Sequence, residues 1–285
     1  MALHEDTEMT NPTEPTNRPQ ALIAGPHIRV AQTRHGLMLY NVNDRYVGRS
    51  FELYGEFSAG ETELFRQIIR PGATVVDAGA NIGAHTVFFA RSVGPSGLVL
   101  AFEPQRLIFQ MLCANLALNE LENVHALHLA LGEASGRANI PVLGYATQEN
   151  FGGVGLTGEA LGEEVEMLPL DRIDFERLDF MKIDVEGLET SVIKGARTTI
   201  ARHRPLIYAE NDRREHSPEL IELLGSLNYQ LYWHLPPLFS PANFYGNQEN
   251  AFKGLVSGNV LAVPRELGAS IEGLRPVNGP QDWPI

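Results

Sequence analysis

The sequence predicts an α/β protein built on a Rossmann-like, doubly wound and mainly parallel sheet. From Thr74 to Val263, short apolar runs alternate with amphipathic stretches. Several of those runs end in an acidic residue followed by a glycine or proline turn, as in Asp77-Ala78-Gly79, Glu103-Pro104 and Asp184-Val185-Glu186-Gly187. Hydrophobic residues make up 44% of the 285-residue chain, enough for one large core. Parallel strands are covered on both faces, so they read as unbroken apolar runs joined by helical crossovers.

Residues 1–20 are rich in Thr, Glu, Asn and Pro and lack a hydrophobic signal core, so they are expected to form a disordered tail. Residues 21–70 read as an N-terminal β/helical extension. Its mixed apolar segments from Ile28 to Val47 suit a small β region, and Leu64, Phe65, Ile68 and Ile69 place a helix over Glu61 to Ile69. Arg70-Pro71-Gly72 stops that helix. The principal domain is expected over residues 71–265, with 266–285 as a C-terminal tail.

Within that domain Thr74 to Ala78 is the first strand, and a helix follows its turn to about Arg91. Leu98 to Phe102 is the second strand, with Pro104 suited to the first turn of the next helix, whose amide has no partner there anyway. That helix buries Ile108, Met111 and Leu112, and the lone cysteine, Cys113, is expected to be a small buried hydrophobe beside Leu112 and Leu116. Val124 to Leu131 reads as a third strand. Between Gly132 and Leu170 the alternation lapses, and Gly152, Gly153, Gly155, Gly158 and Gly162 suggest a mobile insertion or lid. The pattern resumes with Phe180 to Ile183 and Leu206 to Ala209. A helix capped at Ser217-Pro218 follows, carrying Leu220, Leu223, Leu224 and Leu227, and Tyr229 to Trp233 and Val260 to Val263 are late strands.

Lys and Arg total 22 against 35 Asp and Glu, a formal charge of -13, which opposes a nucleic-acid partner because phosphate binding needs a concentrated basic face. One cysteine excludes an intrachain disulfide. No apolar stretch approaches the roughly 20 residues of a membrane span. A reducing, cytoplasmic setting is therefore expected, with a small molecule as partner. Oligomeric state is not legible.

Ligands of doubly wound sheets bind beyond the carboxyl ends of the strands, which makes the strand-end residues the candidates. Gly79 and Gly83, with Asn81 between them, allow a sharp turn and close approach of a ligand. The spacing is not G-x-G-x-x-G, so the dinucleotide fingerprint is absent. Glu103, ending the second strand, suits a pair of ribose hydroxyls; it would also interact favourably with a helix N-terminus. Asp184 and Glu186 would face one side if extended, to hold an amine, bind a metal or act as a base, although Glu186 also suits a helix cap. Asp184, Glu210 and Asn211 offer oxygen ligands to a divalent cation such as Mg²⁺.

Val75-Val76-Asp77-Ala78-Gly79-Ala80-Asn81-Ile82-Gly83, Phe102-Glu103-Pro104 and Lys182-Ile183-Asp184-Val185-Glu186-Gly187, in that order, resemble the FkbM family of methyltransferases. The likeness runs from about Tyr54 to Val263. It implies a class I methyltransferase fold and S-adenosylmethionine as methyl donor, with a hydroxyl oxygen of a natural product or sugar as acceptor. It also implies that Asp77, Gly79, Asn81 and Gly83 contact the methionine part, that Glu103 binds the ribose and that Leu131 to Glu133 border the adenine. Asp184 would sit beside the transfer centre.

An alcohol is a weak nucleophile, so a base should assist, and the candidates are Asp184, Glu186 and His234. His85 reads as a packing or surface residue. Leu235-Pro236-Pro237-Leu238-Phe239 lacks the leading amide or acid of the amino-methyltransferase element and lies too late in the chain. The alternatives are a nucleotide-dependent oxidoreductase on a similar sheet, and a binding module that keeps the donor pocket without chemistry.

Overall fold

Apolar runs with no polar face can persist only where both faces are covered, and the central strands obey this. A computed structural model describes residues 21–153, 162–268 and 270–284. In chain order its elements are β1 (Ile23–Ala24), β2 (Ile28–Thr33), β3 (Gly36–Asn41), α1 (Val47–Tyr54), α2 (Ala59–Ile68), β4 (Thr74–Ala78) and α3 (Ala84–Val93). Next come β5 (Leu98–Phe102), α4 (Arg106–Leu118), β6 (Val124–Leu127), β7 (Ala130–Leu131), β8 (Gly136–Ile140) and β9 (Glu163–Leu168). The chain continues through β10 (Phe180–Ile183), α5 (Glu189–Lys194), α6 (Arg197–His203), β11 (Leu206–Glu210) and α7 (Ser217–Ser226). It closes with β12 (Tyr229–His234), β13 (Asn259–Pro264) and β14 (Arg275–Pro276).

The main sheet has the order β14-β12-β13-β11-β10-β4-β5-β6. Strands β11, β10, β4, β5 and β6 run parallel, while β13 is antiparallel to both β11 and β12. The chain therefore winds outward from β4 to β6 and returns to β10 on the other side of β4. That reversal opens a crevice beyond the β4 and β10 carboxyl ends, and the candidate site lies there. The expected doubly wound, mainly parallel sheet is what the chain forms.

Successive strand residues point to opposite faces, and β4 shows it. Val76 and Ala78 pack with Met181, Ile183, Val192 and Ile193 on one side; Val75 joins Phe65, Phe88 and Phe89 on the other. Phe65 belongs to α2, so the N-terminal extension supplies part of the main core. On the neighbouring antiparallel ribbon, β3 is paired by side chains. Asn115 Oδ1 accepts from Leu39 N at 2.6 Å and Asn119 Oδ1 from Leu37 N at 3.0 Å. Their amides return bonds to the Leu39 and Leu37 carbonyls at 3.0 and 2.7 Å. Asn115 on α4 and Asn119, the residue that ends it, thus satisfy an otherwise open strand edge.

Several expectations are corrected. The run Val124 to Leu131 is not one strand: Leu129 N bonds back to Leu127 O at 3.0 Å, and after this tight turn β7 pairs with β9 in a separate sheet. The supposed irregular insertion contains the antiparallel pair β8 and β9. Its Glu-Glu-Val-Glu sequence hid it, because only one face meets the core. Gly155 and Gly158 lie outside the described residues. Cys113 is exposed, since the buried stripe of α4 runs through Ile108, Met111, Leu112, Asn115 and Leu116 and turns position 113 outward. Pro104 precedes α4 rather than opening it, and α7 begins with Ser217 itself after His216. The C-terminal segment adds β14 to the sheet edge, with Trp283 edge-on to Trp233 at 5.9 Å. Among the described residues no helix is long and apolar enough to cross a membrane.

Candidate active site

The turn after β4 combines left-handed residues, Gly79 (φ 79°), Asn81 (φ 51°) and Gly83 (φ 88°). A Cβ on Gly79 would lie 1.7 Å from the carbonyl oxygen of Asp184, so glycine here lets the ends of β4 and β10 meet. The amides of Gly79 and Ala80 both donate to Phe102 O, at 3.0 and 2.9 Å. Asn81 N donates to Glu103 Oε2 at 2.9 Å and Gln105 N to Oε1 at 2.8 Å. Ile82 N is bonded by the Asn81 side chain and Gly83 N by Ala80 O. The turn amides are therefore committed to the chain, and that of Asn81 helps to orient Glu103.

Glu103 is 4% exposed, and each of its oxygens accepts a single amide, which leaves one lone pair on each for a diol. Burial raises its pKa to about 7 against two backbone hydrogen bonds that lower it. It borders a small cavity of about 40 Å³ lined by Phe102, Gln105, Leu129, Ala130, Leu131 and Leu188 among others. An acidic residue at the edge of an apolar slot fits a nucleoside. Gln105 Nε2 donates to Phe151 O at 2.6 Å, and a Cβ on Gly152 would come within 2.6 Å of Asn81 Nδ2. The start of the glycine-rich segment is thus fastened beside this slot.

A second chamber of about 280 Å³ adjoins the first, sharing Gly79, Glu103, Gly152, Asp184 and Glu186. Asp184 Oδ2 accepts from Lys182 Nζ at 2.9 Å, and the same ammonium lies 3.9 Å from Asp77 Oδ1. Asp77, fully buried, also accepts from Thr86 Oγ1 at 2.7 Å. Lys182 is 3% exposed; burial opposes its charge, but Asp184, Asp77 and Glu61 outweigh it and raise its pKa. Glu61, from α2, and His85, from the first turn of α3, line the same wall.

Glu186 does not continue the strand. Its φ of 56° turns it away from extended geometry, and its carboxylate pairs with Arg213. Burial, then the charge of Asp184, raises its pKa to about 7. The residue that caps this turn is Glu189, whose Oε1 accepts from Val185 N at 3.2 Å and Gly187 N at 3.0 Å. Asp184, Glu186 and Glu210 bring ligand oxygens within 4.8 Å of one another. Asn211 belongs to neither chamber lining, so the oxygen set differs from the expected one. Lys182 and Arg213 already neutralise two members, and burial with four neighbouring acids pushes Glu210 well above the usual carboxylate range.

The crevice brings together Asp77, Gly79, Asn81, Glu103, Leu131, Asp184 and Glu186. Gly83 stands behind it as the residue preceding α3, against Leu112. His234 lines neither chamber: its Nδ1 is 2.7 Å from the Tyr208 hydroxyl, and burial lowers its pKa to about 4. A ring so committed on the far side of β11 is a structural partner of Tyr208, not a base in the crevice. Sequence reasoning missed Glu61 and Ser257 and set His85 aside. Lys182 stood in a quoted motif, and its isolation as the charged residue of an apolar strand was the available signal.

The profile of the FkbM methyltransferase domain matches residues 77–231, more than half of the chain. A methyltransferase of Sordaria araneosa, sdnD, is 43% identical over 63 residues, which cover 22% of this chain and 24% of that protein. The chain thus aligns with about a quarter of that curated relative. Among solved structures, an FkbM methyltransferase of Methylobacillus flagellatus aligns with a TM-score of 0.44 at 19% identity, covering 70% of this chain and 50% of that one. A S-adenosylmethionine-dependent O-methyltransferase of Thermotoga maritima aligns at 0.45 and 13%, covering 82% and 77%. With the strand order, the turn and Glu103 in place, the profile match settles the family: this chain belongs to the FkbM methyltransferases.

Proposed function

We propose that the chain transfers a methyl group from S-adenosylmethionine to a hydroxyl oxygen of a small molecule. The observation that carries this reading is Glu103: buried at the crevice, held by two amides, with a free lone pair on each oxygen beside an apolar slot. Bound there, the donor would supply a methyl on a sulfonium, a leaving group that needs no covalent intermediate. Glu103 then accepts from the ribose hydroxyls, and Leu129 to Leu131 flank the base. Asp184, steadied by Lys182, borders both chambers and suits the positively charged part of the donor or the incoming hydroxyl. The protein's contribution is alignment and exclusion of water.

The larger chamber carries Glu61, Asp77, Asp184, Glu186, Glu210 and Asp212 against Lys182. A wall so rich in acids favours neutral or cationic acceptors over phosphorylated or carboxylated ones. Calorimetric titration tests the donor assignment. S-adenosylmethionine and S-adenosylhomocysteine should bind, NAD(H) should not, and Glu103→Gln should weaken the first two. Absence of affinity for either adenosyl compound would remove the reading.

A further inference from the structure

The larger chamber contains a buried histidine–carboxylate pair that lies outside the slot beside Glu103. His85 is 6% exposed, lines the chamber and sits among the rings of Phe57, Phe65 and Phe89. Its Nε2 is buried without a hydrogen-bond partner and stands 3.4 Å from Glu61 Oε2. Glu61 is 4% exposed, and its other oxygen, Oε1, accepts from Ser257 Oγ at 2.6 Å and from Asn259 Nδ2 at 3.1 Å. A buried carboxylate costs several kcal/mol unless it is paired, and aromatic packing gives His85 no need of one. Glu61, Ser257 and Asn259 all lie outside the matched residues 77–231.

We propose that His85 is the residue that takes the proton from the acceptor hydroxyl, with Glu61 as the positioning residue that fixes its tautomer. The proposal rests on the methyl-transfer reading above. A carboxylate oxygen facing Nε2 keeps the proton on that nitrogen and leaves the ring's lone pair on Nδ1. As the O–C bond to the methyl forms, the S–C bond breaks with its electron pair left on sulfur, and the hydroxyl proton passes to Nδ1. Glu61 offsets the imidazolium charge until the proton leaves for solvent with product release. The titratable groups facing the ring are Glu61 from α2, Lys182 from β10 and His35 from the β2–β3 turn. Burial first, then the charge of Lys182, hold the ring below its ordinary range, so it is neutral at neutral pH.

Nuclear magnetic resonance of ring nitrogens in the ¹⁵N-histidine-labelled full chain decides this without an acceptor. In the wild type at about pH 7 the proton should reside on Nε2 of a neutral His85. In Glu61→Gln, the Ser257 and Asn259 donors hold the glutamine oxygen at the Oε1 place and turn its amide toward Nε2, so the proton should move to Nδ1. His85→Gln should bind S-adenosylhomocysteine within about threefold of wild type, since the ring lines none of the slot beside Glu103. A wild-type lone pair on Nε2, a protonated ring at neutral pH, or one tautomer in both proteins would overturn the proposal. So would loss of donor binding in His85→Gln. Should Glu61→Gln not fold, the wild-type tautomer alone is decisive. Failure of the wild type to bind S-adenosylhomocysteine would sink the methyl-transfer reading, while the ligand-free tautomers would still report on the pair.

Discussion

The two chambers share five wall residues, yet they are built in opposite ways. The smaller one takes most of its walls from the ends of β4, β5, β6 and β10 and the turns that directly follow them. Those turns stand side by side at one end of the sheet, Gly79 meeting the Asp184 carbonyl and Glu103 the Asn81 amide. The larger one gathers Tyr46, Phe57 and Glu61 from before the first parallel strand and Leu238 and Leu255 to Gly258 from near the chain's end. Its charged groups meet only because α2 packs on the second face of the sheet and the segment after β12 folds back over the crevice.

The largest effect should come from Gly79→Ala. With φ at 79° and a backbone oxygen 1.7 Å from the new Cβ, neither side can yield cheaply. Chemical denaturation should show a loss of about 3 kcal/mol or more. A loss under about 1 kcal/mol would mean that β4 and β10 do not meet as described. Next, Glu103→Gln should weaken S-adenosylmethionine about 10- to 100-fold in calorimetry, the scale of hydrogen bonds to a charged group. Asp184→Ala belongs in the same series: near-wild-type donor affinity and near-wild-type turnover together would take it out of the site.

A pH experiment sharpens the role of burial. Glu103 is raised to about 7 from an ordinary 4.5, so between those values the folded chain keeps a proton that the unfolded chain has released. Stability from this group therefore falls as pH rises through that window and levels off above it. Relative to Glu103→Gln, the wild type should lose about 1–3 kcal/mol across it. Donor hydroxyls favour the ionised carboxylate, so affinity should increase with pH over the same range. A wild-type-minus-variant difference that does not change with pH would deny the buried, ligand-free state of Glu103.

The smallest expected effect is that of chelation. Since Lys182 and Arg213 already satisfy Asp184 and Glu186, the thermal midpoint in EDTA and in Mg²⁺ should agree within about 1 °C. Stabilisation by Mg²⁺ that disappears in Glu210→Gln would reinstate a metal among these carboxylates.

Much of the parallel sheet was legible because its strands are continuous apolar runs, and β4, β5 and β10 fall where those runs do. Strands with one solvated face were not. In β8 and β9 the polar residues outnumber the apolar ones that touch the core, and β14 has only two residues. Glu103 and Asp184 could be found because strand ends mark themselves. His234 looked equally eligible by that rule, but Tyr208, two strands away across β13, claims its ring. No property of residue 85 in one dimension reveals that a carboxylate 24 positions earlier, from a helix on another layer, is turned toward it.

By itself the sequence determined the winding of the sheet and the places where β4, β5 and β10 stop, since hydrophobic periodicity acts over a few neighbouring residues. Only the tertiary structure decided which charges share a cavity. Lys182 beside Asp77 and Asp184, and Glu61 beside His85, are pairings across layers. Their energies depend on distance and burial, and neither exists until the helices have packed against the sheet.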